Sequence, residues 1–268
     1  MKEFLSLPRE LFAGRTLIFQ LAKNDFKKKY AGSYLGIVWA FVQPVVTIMV
    51  YWFVFGLALR DPTPRPVPYV LWLIAGLVPW FFFQDGLVNG TNALIEYNYL
   101  VKKVVFRIDI LPMVKVVSAV FVHLFFVLVA LVLYTALGCF PTVYTLQIIY
   151  YTLCVFVLVL GISYMTSSVV VFFRDLTQVI NIVLQVGVWM TPIMWSLDDM
   201  GIGGILAKIL RLNPMFYIVQ GYRDAFVYKV WFWERPWLTL YFWVFTLVCW
   251  MLGTRLFKKL KIHFADVL

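Results

Sequence analysis

With 268 residues, of which 63% are hydrophobic and 13% charged, and a mean hydropathy of +0.88, the chain departs from the roughly 25% charged residues of an ordinary soluble domain. It reads as one all-α integral membrane domain with no soluble module of any size. The net charge of +10 reports orientation before partners in such a chain and does not point to nucleic acid. Cys139, Cys154 and Cys249 show no CxxC or metal-like spacing, which excludes a disulfide framework and leaves them as small packing residues.

Residues 1–29 are too charged to cross a bilayer. Phe4, Leu7, Leu11, Ile18 and Ala22 fall at helical spacings beside Arg9, Arg15, Lys23, Lys27, Lys28 and Lys29. The expectation is an amphipathic helix lying on membrane lipids, starting near Leu7-Pro8, rather than a cleavable signal peptide or a solvated basic tail. Residues 30–59 then carry no charge at all. A hydrocarbon core about 30 Å thick takes roughly 20 helical residues, so this is a first span with room to tilt, and Pro44 is a kink site. Trp39, Gln43, Thr47, Tyr51 and Phe55 recur every fourth residue along it, a stripe that winds slowly around the helix.

Three prolines within 61–66 forbid continuation. Further spans are expected at 67–92, 110–137, 146–173, 176–197 and 236–257, six in all, with Glu96 to Arg107 and the short Arg174-Asp175 turn on the cytoplasmic side. The external segment 198–235 holds two short apolar helices separated by Asn213-Pro214. It reads as a re-entrant hairpin packed on protein, with an ordinary surface hairpin as the alternative. With both termini inside, sixteen of the 23 Lys and Arg residues fall on the cytoplasmic side, as the positive-inside tendency requires.

Catalytic signals are sparse. No phosphate-loop motif is present, and neither His123 nor His263 has a second histidine at metal spacing, so His123 reads as a bundle-facing imidazole. Asp85 is the one acid well inside an apolar run, either functional or satisfied by a polar partner near the inner headgroups. The fifth span carries a second stripe, Gln178, Asn181, Gln185 and Trp189, spaced three, four and four. Amides are costly in lipid, so this face points inward. Its amides can bond sugar hydroxyls and its aromatic rings can lie on sugar C–H faces. Interhelical hydrogen bonding is the plainer use of the same residues.

These stretches resemble a known family. The segment KNDFKKKYAGSYLGIVWAFVQPVVTIMVYWFVFGLALR, followed in order by VLWLIAGLVPWFFF, YLVKKVVFRIDILP, FFRDLTQ, TPIMW and LNPMFYIVQGYRDAF, is similar over nearly the whole chain to the membrane subunits of ABC-type polysaccharide and teichoic-acid exporters. VYWFVFGLALR and LIAGLVPWFFF look most like the wall teichoic acid translocation permeases. Arg107 departs from the pattern, standing where related chains often have proline.

The resemblance implies a homodimer with two copies of a separate ATP-binding subunit, exporting a polymer on undecaprenyl diphosphate across the cytoplasmic membrane of a Gram-positive bacterium. ATP and Mg would sit in the partner, with no cofactor in this chain. Lys23, Asp25, Lys27, Glu96, Lys102, Lys103, Arg107, Arg174 and Asp175 would couple to the ATPase. Lys28, Lys29 and Arg107 are candidates for the lipid diphosphate, and Trp39, Gln43, Thr47, Tyr51, Gln178, Asn181, Gln185 and Trp189 for the conduit. Two other classes stay open: an exporter of a small lipid or drug, and a membrane-embedded glycolipid transferase, for which the chain lacks a clustered acidic metal motif.

Overall fold

The structure, a computed structural model, describes residues 11–30, 34–58, 65–102, 106–197, 201 and 203–268. The described residues contain helices and no strand. In chain order these are α1 (Arg15–Tyr30), α2 (Trp39–Tyr51), α3 (Tyr69–Glu96), α4 (Asn98–Val101), α5 (Leu111–Ala136), α6 (Gln147–Val170), α7 (Leu176–Met190), α8 (Gly204–Arg211), α9 (Pro214–Arg223), α10 (Pro236–Leu260) and α11 (Phe264–Val267). Among the described residues, five helical stretches are long and apolar enough to cross a membrane: Gly36–Ala58, Tyr69–Glu96, Ile108–Ala136, Val143–Val170 and Pro236–His263. Apolar side chains such as Leu124, Leu128 and Val132 on α5, and Leu240 and Val244 on α10, are exposed on the outside of the bundle, where lipid is the only environment that suits them.

The first span starts later than residue 30, because α1 continues through Tyr30 and the new helix begins at Gly36, which takes the left-handed φ of 53° that glycine tolerates best. Pro44 lies inside α2 without ending it, and the helix passes into π-helical turns over Trp52–Ala58. Leu11, Ile18 and Ala22 are buried as their periodicity predicts; the expected start at Leu7-Pro8 lies outside the described residues. The helix packs along α5, with Phe19 edge-on to Phe121 at 5.8 Å.

α3 forms the axis of the bundle. Every residue from Leu71 to Trp80 is buried, the signature of a helix surrounded on all sides. It packs on α5, α6, α7 and α9. Thr91 and Thr166 share a hydrogen bond of 2.8 Å across α3 and α6. α6 and α10 approach backbone to backbone: a Cβ on Gly253 would collide with the carbonyl oxygen of Gly161. This small-residue contact suits helices that gain little from hydrophobic exclusion in lipid.

The span expected over 176–197 is helical only to Met190. Fifteen residues rise roughly 22 Å, short of the hydrocarbon core. Thr191, just before Pro192, leaves the helical region (ψ 121°), as a residue preceding proline tends to do. The segment still runs the length of α3: Thr177 bonds Asn92 (2.8 Å), Gly187 abuts Trp80, and Met194 accepts a hydrogen bond from Tyr69 (2.8 Å).

α8 and α9 are two short helices that adjoin at Leu212 and Asn213. Pro214 opens α9 and the Asn213 side chain caps it, accepting from the Met215 N–H at 3.0 Å. Tyr222 reaches His123, midway along α5, at 3.0 Å, so α9 packs between helices, whereas most of α8 is exposed, Ile205 and Leu206 included. His123 also contacts Thr152 (3.2 Å) and stacks on Phe82 (4.8 Å between centroids), a bundle-facing imidazole as expected. Arg223 is buried, donating to the carbonyls of Pro192 (2.7 Å) and Ile193 (2.6 Å) over the Trp72 ring, which fastens α9 to the end of α7. Cys139, Cys154 and Cys249 are free thiols.

The α6–α10 contact gives a direct test. Gly253→Ala forces two helix backbones apart and is expected to lower stability by about 1–3 kcal/mol, whereas Gly203→Ala, with open space around it, stays within about 0.5 kcal/mol. Thermal unfolding of the purified protein in detergent separates the two.

Candidate functional site

Between α2 on one side and α3, α5 and α7 on the other lies a cavity of about 910 Å³. This is at the upper end of ordinary ligand pockets. Both sequence stripes line it: Trp39, Gln43, Thr47 and Tyr51 from α2, and Gln178, Asn181 and Gln185 from α7. Trp189 stands beside the far end of α2, its ring 6.5 Å from Phe55, and is half exposed. Thr47 satisfies its hydroxyl on the Gln43 carbonyl of its own helix at 2.9 Å, leaving the Gln43 amide exposed. α3 adds Trp80, Gln84 and Asp85, a contribution the sequence reading credited only at Asp85. Trp80 and Gln84 are themselves four residues apart, a third stripe hidden within an otherwise apolar run.

The two walls are thinly covered. Ala40 is the only buried residue of α2, and α7 buries only Ile180 and Leu184. Gln178, Asn181, Gln185, Trp39 and Gln43 are all exposed in the single chain. Amides so placed in a spanning helix need water, a ligand or another polypeptide.

Asp85 is paired. Lys29 Nζ lies 2.5 Å from its Oδ1, and the Asn89 amide donates to the same oxygen at 2.8 Å. Lys29 therefore reaches from the end of α1 into the cavity, while Lys28 is exposed on the surface.

Around the basic end of the bundle, Lys23, Lys27, Glu96, Lys102, Arg107, Arg174 and Asp175 are exposed, and Lys103 lies outside the described residues. Asp25, expected on the surface that meets the ATPase, is instead buried. It accepts from Lys115 Nζ (2.6 Å) and the Tyr97 hydroxyl (2.8 Å), and Lys115 also bonds Glu96 at 2.5 Å. Burial, and then Asp25, raise the Tyr97 hydroxyl far above its ordinary pKa, so it remains a donor. Lys115 ties α1, the end of α3 and the start of α5 into one node. Only its place in an otherwise apolar helix could have flagged it in the sequence. Lys261 pairs with Asp109 and fastens the tail to the start of the third long helix. Among the described residues no three His, Cys, Asp or Glu side chains come together as metal ligands.

Residues 16–227 match the model of the ABC-2 type transporter family. The chain belongs to that family. It is 28% identical over 255 residues to the O-antigen export system permease protein RfbA of Klebsiella pneumoniae, covering 94% of this chain and 95% of that protein. It is 28% identical over 222 residues to the protein of the same name from Myxococcus xanthus (83% and 84% covered). The polysialic acid transport protein KpsM of Escherichia coli is 22% identical over 208 residues (75% and 78% covered). This is accordingly a multi-pass helical membrane protein of an ABC transporter family.

Lys115→Met leaves the buried Asp25 carboxylate without a cation and is expected to destabilise by about 3–5 kcal/mol, and adding Asp25→Asn to recover most of that loss; Asp25→Asn alone costs less, because Lys115 keeps Glu96. A double-mutant cycle on unfolding temperature reads the coupling.

Proposed function

We propose that this chain is the transmembrane half of an ATP-driven exporter that moves a polymer attached to a polyprenyl diphosphate from the cytoplasm to the cell surface. The finer reading is a teichoic acid on undecaprenyl diphosphate in a Gram-positive cell membrane. The observation that carries the reading is the meeting of the two stripes. Residues 135 positions apart or more, Gln43 and Gln178 among them, line one cavity, and that cavity alternates amides with aromatic rings. Sugar hydroxyls suit the amides of Gln43, Gln178, Asn181 and Gln185, and sugar C–H faces suit Trp39, Tyr51 and Trp189. The roles named for the relatives, O-antigen export and polysialic acid transport, support a polysaccharide cargo.

The reading also accounts for the uncovered faces of α2 and α7. A second copy of the chain placed against them completes a conduit between the protomers and removes amides and apolar residues such as Val183 and Val186 from lipid. Two copies of an ATP-binding subunit, holding ATP and Mg, would press on the exposed residues of α1 and on the Glu96 to Arg107 segment, with Arg174 and Asp175 at the neighbouring turn. Asp25 and Lys115 would then act as the fastening that makes α1 move with the bundle. Lys28, Lys29 and Arg107 would meet the diphosphate as the lipid arrives. Both termini lie on the cytoplasmic side in this arrangement.

The test is ATP-dependent delivery of a lipid-linked teichoic acid precursor into proteoliposomes containing the permease and its ATPase, compared with an O-antigen-type lipid-linked polymer. Trp39→Ala and Trp189→Ala are expected to cut delivery by about tenfold or more, from loss of the flat apolar ring face against sugar C–H groups, while assembly and basal ATP hydrolysis persist. Wild-type complex that hydrolyses ATP and delivers neither polymer overturns the polysaccharide reading. Delivery of the O-antigen polymer alone overturns the teichoic acid one.

A further inference from the structure

Two ion pairs tie α1 to the bundle, and their surroundings differ. The side chains of Lys115 and Asp25 are 6% and 10% exposed; those of Lys29 and Asp85 are 33% and 35% exposed and line the cavity. A ligand in the cavity therefore meets the second pair. Among the described residues lining the cavity, Lys29 is the only Lys or Arg and Asp85 the only acid. The carboxylate of Asp85 thus occupies the one cationic position an anionic ligand could use there.

The pair is also arranged so that it can exchange. A half-exposed ion pair is weak, because water screens it. Breaking the buried Lys115–Asp25 pair would strand a charge, but Asp85 released from Lys29 still accepts from Asn89 at 2.8 Å and is open to water. A phosphate carries more charge and more acceptor oxygens than a carboxylate, and the adjacent exposed Lys27 and Lys28 raise the local concentration of anions. Exchange has a mechanical consequence. Lys29 lies just ahead of the first span, and beyond it that span is held by ring packing, Phe41 on Phe125 (4.0 Å between centroids) and Phe55 on Trp189 (6.5 Å). Loss of the Lys29–Asp85 bond frees the end of α1, next to the cavity's most loosely packed wall, from α3.

We propose that Lys29 and Asp85 form an anion-exchanged latch: a phosphate group on a lipid headgroup takes Lys29 from Asp85 and so releases the end of α1 from α3 at the basic end of the cavity. The nature of the ligand rests on the lipid-linked cargo proposed above; the exchange itself rests on the geometry of the pair.

The experiment is a titration of polyprenyl diphosphate, without glycan, into the permease–ATPase complex in lipid nanodiscs, with wild type, Asp85→Asn, Lys29→Gln and the double variant. Removing the internal competitor is expected to tighten binding about two- to fivefold, the worth of a partly exposed ion pair. Lys29→Gln weakens binding, and the double variant matches Lys29→Gln. Asp85→Ser, a second neutral replacement, is read the same way if the Asn variant does not assemble. Competition by inorganic diphosphate in wild type but not in Lys29→Gln supports recognition of phosphate from either source; tightening without such competition supports the lipid-borne headgroup. Neutral Asp85 variants that bind unchanged or more weakly than wild type overturn the latch, because a purely structural pair loses on either deletion. If polymer delivery succeeds while tightening fails, the latch falls and the cargo reading stands. If tightening is seen while no polymer is delivered, the latch stands for an anionic lipid and the cargo reading falls.

Discussion

A polar side chain in hydrocarbon has no water to bond, and the arrangement of this bundle follows from that constraint. It turns Gln178, Asn181 and Gln185 away from lipid and sets them across from Gln43. It puts the His123 imidazole within reach of Tyr222 and Thr152. It holds the buried Arg223 guanidinium on two carbonyl oxygens and an indole face. What remains on the outside of α5 and α10 is mostly apolar, Leu124, Leu128, Val132, Leu240 and Val244 among it, and needs little from the solvent.

The same constraint sorts the molecule into a firm part and a loose part. α3, α5, α6, α9 and α10 interlock through small residues at close contacts, backbone to backbone between α6 and α10, and α1 is riveted to them by the buried Asp25–Lys115 pair. α9 and the end of α7 are joined through Arg223 and the Asn213–Thr191 bond of 2.7 Å. α2 has no comparable fastening. It buries one residue and rests largely on rings, while the partly exposed Lys29–Asp85 pair holds the end of α1 beside it. α2 is therefore the least firmly held wall of the cavity.

Much of this was legible in the chain. The uncharged run after Lys29 announces a span, the prolines of 61–66 end it, and the four-residue spacing of Trp39, Gln43, Thr47 and Tyr51 marks one row of a helix. The Asn213-Pro214 break places the junction of α8 and α9 where it is found. Hydropathy alone, however, extends the fifth span to residue 197, because Ile193 and Met194 are as apolar as a span requires; the backbone preference of Thr191 before Pro192 ends the helix at Met190.

Composition and periodicity thus determined the membrane environment, the helices and the polar rows, since each depends on local spacing and on transfer of side chains from water. Tertiary structure alone decided which rows share a cavity, that Trp80 and Gln84 join them, and that Asp25 faces Lys115 while Asp85 faces Lys29. Lys29 and Asp85 are 56 positions apart along the chain, Asp25 and Lys115 90, and Gln43 and Gln185 142. Their energy depends on burial and distance, which no local pattern encodes.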